Sequence, residues 1–225
     1  MWYTKDGEIV SIHDATLDRV SDGTGSVYDY TLEELKKLDF GVRHGEAFKG
    51  MQIVTFEEIL KKFAGHVIMN IHLKTVDYDC QYDRATLQKI IDLIYEYDCP
   101  RHVYFMSGNK QLLYLLQEMA PEIARCAGAG ADKHDDLVQK ALDTGATKIQ
   151  LFKPYFQYNA PDFVEKAIQH AHEHGIRVNM FFADDPQEAI QYLEMGADTI
   201  LTNDYQRVAH AIHVWQQEQA ISAGR

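Results

Sequence analysis

Short, nearly continuous apolar runs recur along this chain, and that recurrence limits the folds open to it. They fall at Val67–Leu73, His102–Met106, Ile123–Cys126, Thr147–Phe152, Arg177–Phe182 and Thr199–Thr202. A further, incomplete run stands at Met1–Thr4. A strand buried on both faces reads this way, whereas a half-exposed strand alternates apolar and polar residues. Such strands belong to parallel sheets. The spacing between runs is roughly 20–35 residues, the period of a strand followed by a crossover helix.

Helix signals fill the intervals. Leu87, Ile90, Ile91 and Ile94 share one helical stripe. Asp185-Pro186-Gln187-Glu188 sets an acceptor at the N-cap, proline at the first helical position and glutamate at the third, and Gly196 stops that helix. Thr31 with Glu34, and Thr55 with Glu58, read as capping boxes. Asn159-Ala160-Pro161 opens a helix whose inner face is Phe163, Val164, Ala167, Ile168 and Ala171, and which ends at Gly175. Tyr205–Gln219 reads as a closing helix with a frayed tail over 220–225.

Repeated units with no linker describe a single α/β domain over residues 1–225. A closed (β/α)₈ barrel, which needs about 250 residues, ranks first, and a doubly wound open sheet second. No Gly-x-Gly-x-x-Gly follows a strand, and there is no Walker-type phosphate loop, so a nucleotide site is not indicated. The formal net charge is −12, which argues against nucleic acid as a partner. No apolar run approaches the ~20 residues of a membrane span. Cys80, Cys99 and Cys126 form neither an even set nor a C-x-x-C pair, so reduced packing cysteines and a cytoplasmic setting are the default reading.

In a barrel, functional groups come from the C-terminal ends of strands and the loops beyond them. That rule selects His72 and Lys74, Ser107, Lys153, Phe181 with Asp184, and Asn203 with Asp204. The early loop adds His13 and Asp14. In an acidic chain, Lys74 and Lys153 at strand ends would gather positive charge for an anionic substrate such as a phosphate. A histidine beside a phosphoryl leaving group can give or take a proton near neutral pH, and Asp14 next to His13 can fix its tautomer. His170, His172 and His174 have the spacing of metal-binding helices, but they sit at a helix end where cationic histidine favours the dipole. They read as structural, as do His210 and His213.

The opening segment, Thr4-Lys5-Asp6-Gly7-Glu8-Ile9-Val10-Ser11-Ile12-His13-Asp14-Ala15-Thr16-Leu17-Asp18-Arg19, resembles the glycerophosphodiester phosphodiesterase family, whose second barrel strand is followed by T-K-D-G-x-x-V-x-x-H-D-x-x-L-x-R. The likeness continues through Gly23–Val27 and Tyr30–Leu35, through Gln52–Leu60, and through Gly196–Asp204 near the end. The resemblance implies a TIM barrel that hydrolyses glycerophosphodiesters to glycerol 3-phosphate and an alcohol, with Ca²⁺ or Mg²⁺ assisting. It implies that His13 is one of two acid–base histidines, with Asp14 supporting it. Lys74 matches the lysine of the family's E-x-K and would hold the phosphate, with Lys153 as a further binding group. Phe181 falls where a tryptophan packs on the glycerol part.

The departures from the pattern carry expectations of their own. The family's first strand bears H-R-G and its second bears E-x-D, and neither is matched here. The expectation is a barrel lacking strand 1, helix 1 and the start of strand 2, with little activity as written. His72 stands at the carboxylate position of E-x-K. An imidazole suits Zn²⁺ better than Ca²⁺ or Mg²⁺, so His72 either retunes the metal, contacts phosphate directly, or marks lost catalysis. The alternative to a hydrolase is a barrel that binds phosphodiesters, or one completed by a partner chain, with self-association through its open edges.

Overall fold

The computed structural model describes residues 1–75, 82–130, 136–152 and 163–223. It contains two compact units, Met1–Ala124 and Arg125–Arg225. Among the described residues, no helix is long and apolar enough to cross a membrane.

The first unit opens with a three-stranded antiparallel sheet, β1 (Trp2–Tyr3), β2 (Ile9–Ser11) and β3 (Val54–Thr55), in that order. The register places Trp2 opposite Val10, and Val10 opposite Thr55. This corrects the expectation of a parallel strand at Met1–Thr4. The chain reverses instead at Asp6-Gly7, where Gly7 has φ 78° and Thr4 N–H donates to the Glu8 carbonyl at 2.9 Å. Glycine adopts that left-handed backbone at no steric cost. Thr55 then caps α2 (Phe56–Phe63), and Thr31 caps the short α1 (Leu32–Leu35). Both capping boxes expected from the sequence are formed, with Glu58 and Glu34 reaching back to the N-cap backbone.

The rest of this unit is a strand–helix–strand–helix series. β4 (Met69–His72) pairs in parallel with β5 (Val103–Ser107), Ile71 opposite Phe105 and His72 opposite Met106. The apolar run in the sequence starts at Val67. Val67 and Ile68 are instead 46% and 71% exposed, because pairing begins only where Met69 N–H meets the His102 carbonyl. Met69, Ile71 and Leu73 pack with Leu87, Ile90, Ile91 and Ile94 of α3 (Arg84–Glu96). Side chains alternate across a strand, so Asn70, His72 and Lys74 line the opposite side. α4 (Lys110–Met119) follows β5, N-capped by Asn109.

The second unit carries β6 (Ala124–Ala127), β7 (Lys148–Phe152), β8 (Arg177–Phe181) and β9 (Thr199–Leu201), parallel and in sequential order. Phe152 lies opposite Phe181, and Phe181 opposite Leu201. Their helices are α5 (Leu137–Thr144), α6 (Phe163–Glu173), α7 (Pro186–Glu194) and α8 (Tyr205–Ala223). Asp185 caps α7 by accepting from both Gln187 and Glu188 N–H, and Gly196 follows with φ 103°. The start of α6 expected at Asn159-Ala160-Pro161 lies outside the described residues. The closing helix α8 runs past Gln219 to Ala223, where Ser222 Oγ donates back to the Glu218 carbonyl at 2.9 Å, and 224–225 lie outside the described residues.

Candidate active site

The loop after β2 holds its polar tips outward by burying every few residues. Ile12 is nearly buried, and Leu17 and Val27 are fully buried beside Trp2, Val10 and Leu35. Backbone bonds from Leu17 N–H to the Gly25 carbonyl and from Val27 N–H to the Ala15 carbonyl, both 2.9 Å, close the loop on itself. Trp2 Nε1 donates to the His13 carbonyl at 3.2 Å. His13 is therefore fixed at its backbone while its ring stays 67% exposed.

Four side chains meet there. Asp14 Oδ1 lies 2.5 Å from His13 Nδ1. Arg19 straddles the same carboxylate, Nε to Oδ2 at 2.6 Å and Nη2 to Oδ1 at 2.8 Å. On the other side of the ring, Lys74 Nζ lies 2.9 Å from His13 Nε2. An ammonium can only donate, so Nε2 accepts from Lys74. The ring proton then sits on Nδ1 and goes to Asp14, which assigns the Nδ1–H tautomer. The charges along this row are cation, neutral imidazole, anion, cation.

The electrostatics follow from the contacts. The Arg19 hydrogen bonds hold the Asp14 carboxyl far below the usual carboxylate range; burial opposes this and His13 adds to it. Burial lowers Lys74 from the usual lysine value, the Asp14 charge opposes that shift, and Arg19 reinforces it. His72, at the end of β4, is pushed down to about 3 by burial and then by the charge of Lys74. Its imidazole is therefore neutral at physiological pH. Asn70, two residues earlier on the same side of the strand, has a buried side-chain carbonyl with no hydrogen-bond partner among the described residues.

A hard divalent cation wants several oxygen ligands. The described residues do not fit that demand. Both Asp14 oxygens are engaged by Arg19 and His13. His72 has a lysine ammonium for a neighbour. Among the described residues, no three His, Cys, Asp or Glu side chains come together as a metal group. What the cluster offers is the opposite charge logic: Lys74 and Arg19 beside two imidazoles suit an anion.

His13, Asp14 and Lys74 come together, and the charge of Lys74 acts on His72. Phe181 lies in the second unit at the end of β8, stacked on Phe152 at 5.4 Å between ring centroids. Lys153 lies outside the described residues. Asp184 accepts from Thr202 Oγ1, Asn203 N–H and Asn203 Nδ2, which binds the loop after β8 to the loop after β9. Sequence reasoning gave no role to Arg19 or Trp2. Arg19 was visible only as the last letter of a motif, and nothing local announces that a turn brings it back onto Asp14.

Comparison with known proteins places the chain in one family. The model of the glycerophosphoryl diester phosphodiesterase family matches residues 2–207. A glycerophosphodiester phosphodiesterase of Caldanaerobacter subterraneus is 30% identical over 204 residues, covering 89% of this chain and 79% of that protein. One from Bacillus subtilis is 27% identical, covering 89% and 70%. Among solved structures, an Oleispira antarctica phosphodiesterase in complex with its product sn-glycerol-3-phosphate is 21% identical, with a TM-score of 0.77 over 94% of this chain and 82% of that one. The likeness selects the α/β fold of the TIM-barrel phosphodiesterases over the doubly wound sheet. With the fold, the loop after β2 and the length of the match in agreement, the chain belongs to the glycerophosphoryl diester phosphodiesterase family.

Proposed function

We propose that this chain hydrolyses glycerophosphodiesters to glycerol 3-phosphate and an alcohol. The observation that carries the reading is the row Lys74–His13–Asp14, with Nε2 of His13 free of hydrogen and held against an ammonium. Hydrolysis adds one water across a P–O bond: phosphorus gains an oxygen and the departing alkoxide gains a proton. A phosphodiester entering this cluster would draw Lys74 toward its non-bridging oxygens, since charge-assisted contacts to phosphate outweigh one to a neutral nitrogen. Nε2 is then open to take a proton from the attacking water and to return it to the leaving oxygen. Asp14 stabilises the imidazolium formed between those two events. The relatives named above, and the product-bound Oleispira structure, support the same substrate class.

The family is metal-dependent. In the described cluster the Asp14 oxygens are already engaged by Arg19 and His13 and so do not supply a ligand for that metal. A second reading is favoured by that misfit and by His72 in place of a carboxylate: binding of the phosphodiester without its hydrolysis. One experiment separates the two. Purified chain is incubated with glycerophosphocholine and Ca²⁺, Mg²⁺, Zn²⁺ or EDTA, with glycerol 3-phosphate followed enzymatically and binding by calorimetry. Release of glycerol 3-phosphate with any metal, abolished by Lys74→Ala, is the expected result. Binding with no release under all four conditions overturns hydrolysis in favour of the second reading.

A further inference from the structure

We propose that Arg19 is a positioning residue, which acts through Asp14 to hold His13 in the Nδ1–H tautomer with Nε2 turned to the substrate side. This rests on the reading of His13 as the proton-transfer group. It adds a residue that neither the residue pattern nor the likeness to known proteins had given a task.

Three observations carry it. First, His13 and Asp14 are sequence neighbours, and nothing in that adjacency makes their side chains meet. His13 is 67% exposed, so without a restraint its ring is free to turn in water and to exchange tautomers. Second, the restraint is visible. Arg19 grips both oxygens of Asp14 in a two-point fork, at 2.6 and 2.8 Å. Such a fork fixes the plane of the carboxylate as well as its position. With Oδ1 so held, the 2.5 Å contact to Nδ1 sets the ring. Arg19 Nη2 also lies 3.3 Å from Nδ1; with Nδ1 protonated both are donors, so this is a close approach and not a hydrogen bond, and both groups direct their hydrogens to the Asp14 carboxylate. Third, the loop is built to return Arg19 to this place. Leu17 is fully buried two residues before it, and Ser21 Oγ, two residues after, donates to the Leu17 carbonyl at 3.0 Å. The guanidinium is itself 66% exposed, so its work here is orientation and not burial.

The test reads the tautomer directly. The full chain is labelled with ¹⁵N-histidine, and long-range ¹H–¹⁵N correlation at pH 8 reports which ring nitrogen carries the proton. The His13 signals are identified by their loss in His13→Ala. In the unaltered chain His13 is expected to show a protonated Nδ1 and a bare Nε2. In Arg19→Gln the two nitrogen shifts are expected to move toward each other as the tautomers exchange, with Asp14→Asn giving the same change and Arg19→Lys an intermediate one. The remaining histidine signals should stay in place, which separates this effect from misfolding. If Arg19→Gln is poorly folded, Arg19→Lys alone decides. An unaltered His13 pattern in a folded Arg19 variant overturns the proposal. Where turnover is measured, kcat is expected to fall about 10- to 100-fold in Arg19→Gln, with KM within about twofold. Absence of turnover in the unaltered chain would instead count against hydrolysis, and leave the tautomer measurement to judge Arg19.

Discussion

Two imidazole–carboxylate pairs in this molecule look alike and stand in different surroundings. His13 meets Asp14 at 2.5 Å on the loop after β2, and His172 of α6 meets Asp198 at 3.0 Å before β9. The difference lies in what else each partner touches. Asp198 Oδ2 also accepts Val178 N–H at 2.7 Å, and Asp198 N–H donates to the Val178 carbonyl at 3.0 Å. That pair ties a helix and the approach to β9 onto β8. Asp14 makes no such backbone tie in its contacts with His13 and Arg19, and the far nitrogen of His13 faces Lys74. A histidine–aspartate contact is thus not a site by itself. In the reading proposed above it becomes one where the second nitrogen is presented to a cation, as His13 Nε2 is to Lys74.

The largest expected effect breaks the comparison open by rate. His13→Ala should lower glycerol 3-phosphate release by about 10²- to 10⁴-fold, the usual contribution of a positioned acid–base group. His172→Ala should leave the rate per folded molecule within about twofold. Equal losses in both variants would erase the distinction.

Acid stability sharpens it next. Both carboxyls are held below their ordinary value in the folded chain: Asp14 chiefly by Arg19, and Asp198 by His172 and Val178 N–H against an opposing burial effect. Each therefore adds stability that is present above the unfolded carboxyl value of about 3.9 and is lost as pH falls through the folded value. Urea midpoints measured from pH 7 down to pH 3 should decline less steeply in Asp198→Asn than in the unaltered chain, and likewise in Asp14→Asn. A slope that neither substitution alters would show that these contacts are not coupled to folding.

The smallest effect concerns scaffold alone. Thr55→Ala removes a capping oxygen from α2 and should cost about 1 kcal/mol, read as a lower thermal midpoint with unchanged kcat. A changed kcat would mean that the cap reaches the site.

Features written in adjacent residues could be read from the sequence, and those made by a turn could not. The capping boxes at Thr31 and Thr55 need only four residues to declare themselves, and both are formed. His13, Asp14 and Lys74 were selected by position relative to strands, and they meet. The reversal at Gly7 was missed because Met1–Thr4 has the composition of any buried strand, and only the pairing partner distinguishes antiparallel from parallel. Val67 and Ile68 misled for the same reason: apolar character marks a strand without marking where its hydrogen bonds begin. Arg19 stayed hidden because its partner is five residues away across a non-helical loop, a distance at which no periodicity operates. The fit of a divalent cation was equally unreadable, since the engagement of both Asp14 oxygens is a fact of geometry.

The alternation along β4 has one more result. Met69, Ile71 and Leu73 face the core, while Asn70, His72 and Lys74 face away from it. Slipping this strand by a single residue against β5 would send an imidazole and an ammonium into hydrocarbon and set three large apolar groups where Asn70, His72 and Lys74 now stand. A chain assembled with that error forfeits its stability together with its chemistry. The register of this one strand therefore sets the packing of the core and the position of Lys74 together.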